Sequence, residues 1–509
     1  MTRSGEKSPV FHPLLFAILP VFFLFAYNAG EAFLLSFRVP LLLLLGAGAA
    51  LWGLFQFFLR DKRRSAILAS LTLLLLLTYG HAFAFLLGKK LGPFQISGHR
   101  NMFLLWSVLF GCAVLFAARL KNLDWATRQL NGMALLLIFF YINTGLWQST
   151  AVHRLDEEPD PWHELSVSAA GKHPDIYYII LDGYARADIL RDHYQYDNSE
   201  FIRWLAGRGF YVAGKSHSNY AATQISLSSS MSLGYLDRLA KHMGLRSNNS
   251  LPLQKRIRDG AAVRLLKQKG YSIVSFSSGF SATEIPNADV YLLPPIGLSM
   301  LQNELINMTP VPVFLKLFDF RRKLHRDRIL YILDRLPEAA RLSSPHFVFA
   351  HIVCPHPPYI FKRDGTHRWS GNPFSFQPAQ TLDWPTYRTR YTEQLEFITS
   401  KVQAAVDQIL RNSATPPVII LQSDHGPAFQ PGMESAEYLR ERLSILNAYY
   451  FPDRDYSALY PEISPVNSFR VVFNQYLNEN FPLLADRSYL SGKTTYDFRE
   501  VAVPEKLVE

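Results

Sequence analysis

The sequence predicts an α/β protein in three parts. Residues 1–150 are expected to form a bundle of about five transmembrane helices, residues 151–173 a linker, and residues 174–509 an extracytoplasmic domain with a mostly parallel sheet covered by helices on both faces. Three observations carry this. Leu, Phe, Ala and Ile dominate as far as about residue 148, where the composition turns to that of a soluble domain. Beyond 174, continuous apolar runs alternate with helix-period segments, as in a parallel sheet buried on both faces. Two of the runs end in metal-ligand side chains followed by glycine: Ile-Ile-Leu-Asp-Gly-Tyr at Asp182, and Val-Ile-Ile-Leu-Gln-Ser-Asp-His-Gly at Asp424 and His425. Open α/β sheets place their sites at the C-terminal ends of strands.

The membrane part holds five apolar stretches, 11–27, 39–59, 65–87, 102–118 and 132–148. A span needs about 20 apolar residues, with about 17 as the lower limit, and three of the five lie near that limit. Pro20 is tolerable in a membrane helix. The first stretch lacks a small-residue cleavage site and four more follow it, which argues against a signal peptide. Orientation follows the Lys and Arg of the loops. With the N-terminus inside, the cytoplasmic side holds Arg3, Lys7, Arg60, Lys62, Arg63, Arg64, Arg119, Lys121 and Arg128, and the outer side Arg38, Lys89, Lys90 and Arg100. Five spans then place residues beyond about 150 outside. The expected location is the bacterial inner (cytoplasmic) membrane, multi-pass, with the large domain on the periplasmic or extracellular side.

In the soluble part, strands are expected at 176–181, 210–213, 271–276, 346–352, 418–422 and 448–451. Helices are expected at 188–206, 225–231, 253–269, 327–341, 387–410 and 466–477. Segments 287–318 and 365–385 break the rhythm and read as lids or binding loops. The net charge of +10 partly reflects the membrane loops. The basic cluster at 316–328 (Arg321, Arg322, Lys323, Arg326, Arg328) reads as a solvated helix face or a membrane-surface contact, and no nucleic-acid partner is expected. The two cysteines, Cys112 in the fourth apolar stretch and Cys354 beside a strand, form no disulfide framework.

Four elements can carry chemistry. Asp182 follows a buried strand, and Gly183 allows a sharp turn or close approach. A helix cap is the plainer role, but the next helix begins several residues later. Asp424 and His425 place a carboxylate and an imidazole at one strand end, both suited to a divalent cation. A metal-free acid/base pair is the alternative. Thr223 precedes a helix, where the dipole favours an anion and a cation would activate the hydroxyl; a simple N-cap is the other reading. His356, in Cys-Pro-His-Pro-Pro, suits a substrate-phosphate contact or proton donor. His351, inside the preceding strand, reads mainly as a core histidine.

Together these motifs resemble the alkaline phosphatase/sulfatase superfamily, and within it the membrane-anchored branch of lipoteichoic acid synthases and phosphoethanolamine transferases. Ser-Asp-His-Gly is the most specific part. The resemblance covers about 174–477 plus the multi-span anchor and makes 174–509 a sulfatase-like catalytic domain. It implies Asp182, Thr223, Asp424 and His425 as ligands of one divalent metal ion (Mn, Zn or Mg), Thr223 as nucleophile, and His356 as the residue contacting substrate. The lipid-phosphate transferases usually carry glutamate where Asp182 stands. The Cys-x-Pro-x-Arg signature of formylglycine sulfatases does not occur. Segment 426–446 has no histidine, which favours one tightly held ion.

The resemblance implies a membrane-anchored, metal-dependent transferase. It would move a phosphate-linked head group, of phosphoglycerol or phosphoethanolamine type, from a membrane lipid or lipid-linked envelope substrate through a phospho-threonine. Two alternatives stay open: a phosphodiesterase or sulfatase-like hydrolase of the same fold, and an inactive membrane-assembly protein. Transport is disfavoured because the charged residues of the spans, apart from Glu31 near an interface, lie in loops.

Overall fold

The computed structural model describes residues 8–27, 37–91, 94–96, 98–155, 173–298, 300–369, 382–429 and 435–505. Most of the expected linker, Glu31, Arg3, Lys7 and most of the 365–385 segment lie outside them. The chain divides into two compact units. One is Met1–Glu157 with Leu298–Phe318, the other Glu158–Gly297 with Asp319–Glu509.

Along the chain the first unit opens with helices α1 (His12–Tyr27), α2 (Arg38–Leu59) and α3 (Lys62–Leu86). The short antiparallel pair β1 (Lys90–Leu91) and β2 (Phe94–Gln95) follows, then α4 (His99–Arg119) and α5 (Leu123–Leu155). Asp61 caps α3, accepting from the backbone N–H groups of Arg63 and Arg64. The helices α2, α3, α4 and α5 are long and apolar enough to cross a membrane. The first expected span is α1, with 16 residues. At 1.5 Å per residue it reaches about 24 Å, short of a hydrocarbon core of about 30 Å. Among the described residues there are therefore four long candidate spans and one shorter apolar helix where about five spans were expected.

The second unit runs β3 (Ile176–Leu181), α6 (Ala187–Asp192), α7 (Ser199–Gly207), β4 (Tyr211–Val212), α8 (Thr223–Met231), α9 (Asp237–Met243), α10 (Leu251–Asp259), α11 (Ala261–Gln268), β5 (Ser272–Phe276) and β6 (Val290–Leu292). The chain then enters the first unit as α12 (Met300–Asn307) and α13 (Val311–Leu317). It returns as α14 (Phe320–Arg335), β7 (His346–Ile352), α15 (Trp384–Asn412), β8 (Val418–Gln422), α16 (Ala436–Leu443), β9 (Asn447–Tyr450), α17 (Pro465–Tyr476) and the hairpin β10 (Ser488–Ser491) and β11 (Phe498–Val501).

Seven strands form one sheet in the order β4-β9-β8-β3-β7-β5-β6. The five from β8 to β6 are parallel, while β9 runs antiparallel to both neighbours. The central strand β3 is buried throughout and alternates its side chains between two cores. Tyr177, Ile179 and Leu181 face a core shared with α14 and α15, and Ile176, Tyr178 and Ile180 face one shared with α8, α11 and α17. Helices thus cover both faces, as the unbroken apolar strands predict.

Several expected elements differ. Helix 188–206 is two helices, because Gln195 takes a left-handed backbone (φ +52°) and the Asp197 carboxylate accepts from the Ser199 N–H at 2.9 Å, starting α7. Helix 253–269 is interrupted at Gly260. Helix 327–341 begins earlier, at Phe320, and closes in a 3-10 segment, Leu336–Arg341. Segment 287–318 contains strand β6 and two helices instead of a structureless lid. The 321–328 cluster is not a freely solvated face. Arg328 is buried, Arg322 donates to the carbonyls of Tyr359 (2.6 Å) and Arg368 (2.9 Å), and Lys323 lies over the Trp369 ring. The two cysteines are free, as expected.

Candidate active site

The central strands β8, β3 and β7 are neighbours, and their C-terminal ends carry the predicted residues. Asp182 directly follows β3, and His351 sits opposite Ile180 on β7. The β8 strand ends at Gln422, two residues before Asp424, so one edge of the sheet collects both motifs.

The carboxylates of Asp182 and Asp424 and the imidazole of His351 offer ligand atoms that all lie within 4.8 Å of one another, and all three residues are buried. His351 Nε2 is 3.3 Å from Asp182 Oδ2. His425 joins the group: its Nε2 lies 3.2 Å from Asp424 Oδ2 and 3.7 Å from Asp182 Oδ1. Thr223 Oγ1 is 2.9 Å from the same nitrogen. The structure therefore brings Asp182, Thr223, Asp424 and His425 together and adds His351, which sequence reasoning left in the core.

Thr223 is not a helix cap. Ala222 occupies the N-cap position of α8, and Thr223 is the first helical residue, with its hydroxyl turned to His425. The residue is only 9% exposed. The N-terminal end of α8 thus points at the carboxylate cluster, where its dipole favours negative charge.

Two features indicate a cation here. Asp182 Oδ1, Asp424 Oδ2 and His351 Nε2 are buried with no hydrogen-bond partner, and such orphaned atoms are costly unless something satisfies them. The two carboxylates also oppose each other. Burial and the charge of Asp182 push the Asp424 carboxyl up to about 6. Burial would raise Asp182 too, but attraction from His356 and the hydrogen bond from His351 outweigh it and hold this carboxyl well below the usual range. Like charges this close cannot both ionise without a counter-ion. Burial and then Arg442 push the His425 imidazole well below its ordinary value, keeping it neutral and able to donate a lone pair. Its Nδ1–H donates to the Gly426 carbonyl at 3.0 Å, which leaves Nε2 for the cluster. On the far side of His351, Nδ1 meets Thr283 Oγ1 at 2.7 Å.

A shell of buried groups sets these positions. The Gly183 N–H donates to Asp424 Oδ1 at 3.3 Å. Ser423 Oγ accepts from the Tyr184 N–H (2.9 Å) and donates to the His425 carbonyl (2.6 Å), tying the two strand ends together. Ser226 of α8 donates to the Asp424 carbonyl at 2.8 Å. Arg442 of α16 donates to the carbonyls of Ala221 (2.7 Å) and Gly426 (2.8 Å), linking the approach to Thr223 with the exit from His425. Gly183 has φ +77°, and a Cβ there would meet His356 Cα at 3.6 Å. Glycine serves that turn because side chains rarely adopt the left-handed region.

His356 is half-buried beside the cluster. Its ring centroid is 6.2 Å from that of His425, and its N–H donates to the Asp182 carbonyl at 2.9 Å. Its Nδ1 meets the Pro357 carbonyl at 2.7 Å, leaving Nε2 toward the site. Gln394 of α15, fully buried, holds this loop with four bonds. Its Oε1 accepts from Ile360 N–H (2.7 Å) and Phe361 N–H (3.1 Å), and its Nε2 donates to the carbonyls of Pro355 (3.1 Å) and His356 (3.2 Å). Gln394 and Arg442 escaped sequence reasoning, and no local motif marks either. His351 left one signal, a polar residue within a fully buried strand.

Gly426 offers a test of this packing. A Cβ there would meet the Glu441 carbonyl oxygen at 2.0 Å, a backbone atom that cannot swing away. Gly426→Ala is expected to cost about 1–3 kcal/mol, read as a lowered thermal unfolding midpoint in detergent. Activity should fall further than stability, because His425 is the adjacent residue.

No protein-family model and no curated protein sequence matches the chain. Solved structures do. The integral membrane lipooligosaccharide phosphoethanolamine transferase A from Neisseria meningitidis is 14% identical, with 94% of this chain and 90% of that one covered and a TM-score of 0.41. The C-terminal periplasmic domain of EptC from Escherichia coli, in complex with Zn, is 11% identical over 61% of this chain and 84% of that one, with a TM-score of 0.39. A 2-O GAG sulfatase is 11% identical over 61% and 72%, with a TM-score of 0.37. The functional reading rests on the side chains described above.

Proposed function

We propose that the chain is a membrane-anchored, metal-dependent transferase that moves a phosphate-linked head group from a lipid donor through a phospho-Thr223 intermediate. The observation that carries this reading is the Thr223 hydroxyl, at the head of a helix, 2.9 Å from His425 Nε2 and beside a buried pair of carboxylates with orphaned oxygens. Asp182, Asp424 and His425 would hold a divalent cation, with His351 the further imidazole in reach. When bound, that ion supplies Lewis acidity and neutralises charge on phosphoryl oxygens.

The protein groups account for the rest. Thr223 attacks phosphorus and passes its hydroxyl proton to the Asp424 carboxyl, which is hydrogen-bonded to it and keeps a second oxygen for the cation. The α8 N-terminus favours charge on the transferred group. His356, with Nδ1 engaged by the Pro357 carbonyl, presents Nε2 to the leaving oxygen. An acceptor hydroxyl entering from the same side releases the threonine.

The test is turnover by the full chain in proteoliposomes containing phosphatidylethanolamine or phosphatidylglycerol with labelled head groups. Transfer to an added lipid or sugar acceptor is the expected result, and intact-mass analysis should find a phosphate-linked adduct on Thr223. Release of free head-group phosphate alone would make it a hydrolase. No turnover of either donor with Mn, Zn or Mg present would end the proposal. His356→Gln should lower kcat about 10²–10⁴-fold while leaving the bound-metal stoichiometry unchanged.

A further inference from the structure

The excursion of residues 298–318 leaves the catalytic unit and folds within the membrane-helix unit. We infer that it is a bilayer-inserted element, whose exposed face lies among the lipid acyl chains, rather than a lid over the active site.

Its two helices have opposite roles. Leu301 and Leu305 of α12, with Met308 just beyond its end, recur at helical spacing and pack against Val21 and Leu24 of α1 and against Phe37. The Met308 carbonyl accepts from the N–H of Gly80 within α3 at 2.8 Å. A Cβ at Gly80 would meet the Asn307 carbonyl oxygen at 2.0 Å, so a glycine in the middle of an apolar helix seats the excursion. In α13, Val313 packs toward Tyr79, Ile96 and Met102. The other face stays open: Val311, Phe314 and Phe318 are 42%, 54% and 66% exposed. At 100° per residue these three fall within about 60° of one another, a continuous apolar stripe.

The occupant follows from what the stripe continues. Phe314 meets Phe103 of α4 at 5.9 Å between ring centroids. Downstream on α4, Leu104, Val108, Phe110, Leu115 and Phe116 are exposed in the same manner, on a helix apolar enough to cross a membrane. The depth also fits. Gly80 lies six residues before the end of α3 at Leu86, or about 9 Å along the axis. The contacts fall near the C-terminal ends of α1 and α3 and the N-terminal end of α4. In an alternating bundle these ends share one side, the side on which α5 ends. Lys316 interacts with His99 at the head of α4, a position suited to the head-group layer. An apolar face level with the spans, with a cation at the boundary, has the chemistry of an interfacial membrane helix.

Cysteines introduced one at a time at Val311, Phe314 and Phe318 test this in the full chain, in proteoliposomes and in a Cys112→Ser background whose remaining Cys354 is fully buried. The exposed Gln408 of α15 is the control position. An environment-sensitive fluorophore at the three sites should be blue-shifted and quenched by brominated acyl chains several-fold more than at Gln408→Cys. Membrane-impermeant maleimide should label the three at least tenfold more slowly. Labelling and quenching equal to the control would overturn the inference. Protection without bromolipid quenching would overturn it too, since it would mean that protein covers the stripe.

Discussion

Thr223→Ala is expected to abolish head-group transfer while leaving the protein folded and metal-loaded. The partners of the hydroxyl are His425 Nε2 and the Asp424 carboxyl, both within the site itself. Its loss should cost little stability. Its loss as nucleophile removes the first chemical step, and removing a nucleophile costs at least about 10³-fold in turnover. Thr223→Ser keeps the oxygen and should retain part of the activity, because the position is the first helical residue and serine is well accepted there. The pair of variants separates chemistry from packing. The measurement is steady-state transfer in proteoliposomes, with intact mass to look for the adduct. An alanine variant that still accumulates the adduct would place the nucleophile elsewhere. Should Thr223→Ala lose metal as well, Thr223 would be a ligand contributing most of the affinity, and the variant would no longer isolate the nucleophile.

Chelation is expected to destabilise the protein, and to do so more strongly at pH 7.5 than at pH 5. The cause is Asp424, whose carboxyl is raised to about 6 by burial and by Asp182. An unfolded aspartate titrates near 3.9. Between about pH 4 and 6 the cation-free folded protein keeps a proton that the unfolded chain has lost. Its stability therefore falls as pH rises through that window, by an amount on the order of 2–3 kcal/mol. Asp182 runs the other way: its carboxyl is depressed, so its contribution is present above about pH 4 and lost only on further acidification. It does not alter the trend in the window. A divalent ion requires both carboxylates ionised, so its affinity should rise about tenfold per pH unit up to about 6 and then level off. Unfolding midpoints with Mn, Zn or Mg against chelator, taken across this range, measure the effect directly. Asp424→Asn should remove both the pH dependence and the bound metal. Equal midpoints with and without chelator at pH 7.5 would rule out the cation site.

Much of the candidate site was legible in short runs of residues. An apolar run ending in Asp-Gly or Asp-His-Gly marks a strand end carrying a residue of ligand type, and both such runs end at the same sheet edge. A threonine ahead of an apolar helix pattern marked Thr223, and the Pro-rich loop marked His356. Each signal lies within a few consecutive positions. His351 was ambiguous for the opposite reason. A histidine inside a buried strand can be a satisfied core residue, and only the register that pairs it with Ile180 sets it beside Asp182. Gln394 and Arg442 were unreadable, because a buried amide or guanidinium is recognisable only by the distant carbonyls it meets. The basic run at 321–328 misled because charge in a sequence predicts solvent, whereas Arg322 and Arg328 are drawn inward by the backbone and side chains around them.

The sequence by itself determined the division into an apolar helical part and an α/β part, the central strands and the chemical identity of the site residues. These follow from hydrophobic period and from side-chain type, both properties of adjacent positions. Only the tertiary structure decided that Thr223 faces His425 rather than its own helix, that His351 belongs with the carboxylates, and that 298–318 folds among the membrane helices. Strand order and helix packing bring together residues as far apart in sequence as Gly183 and Asp424, separated by 241 positions, and the free energy of such contacts belongs to the pair and its burial, not to either segment alone.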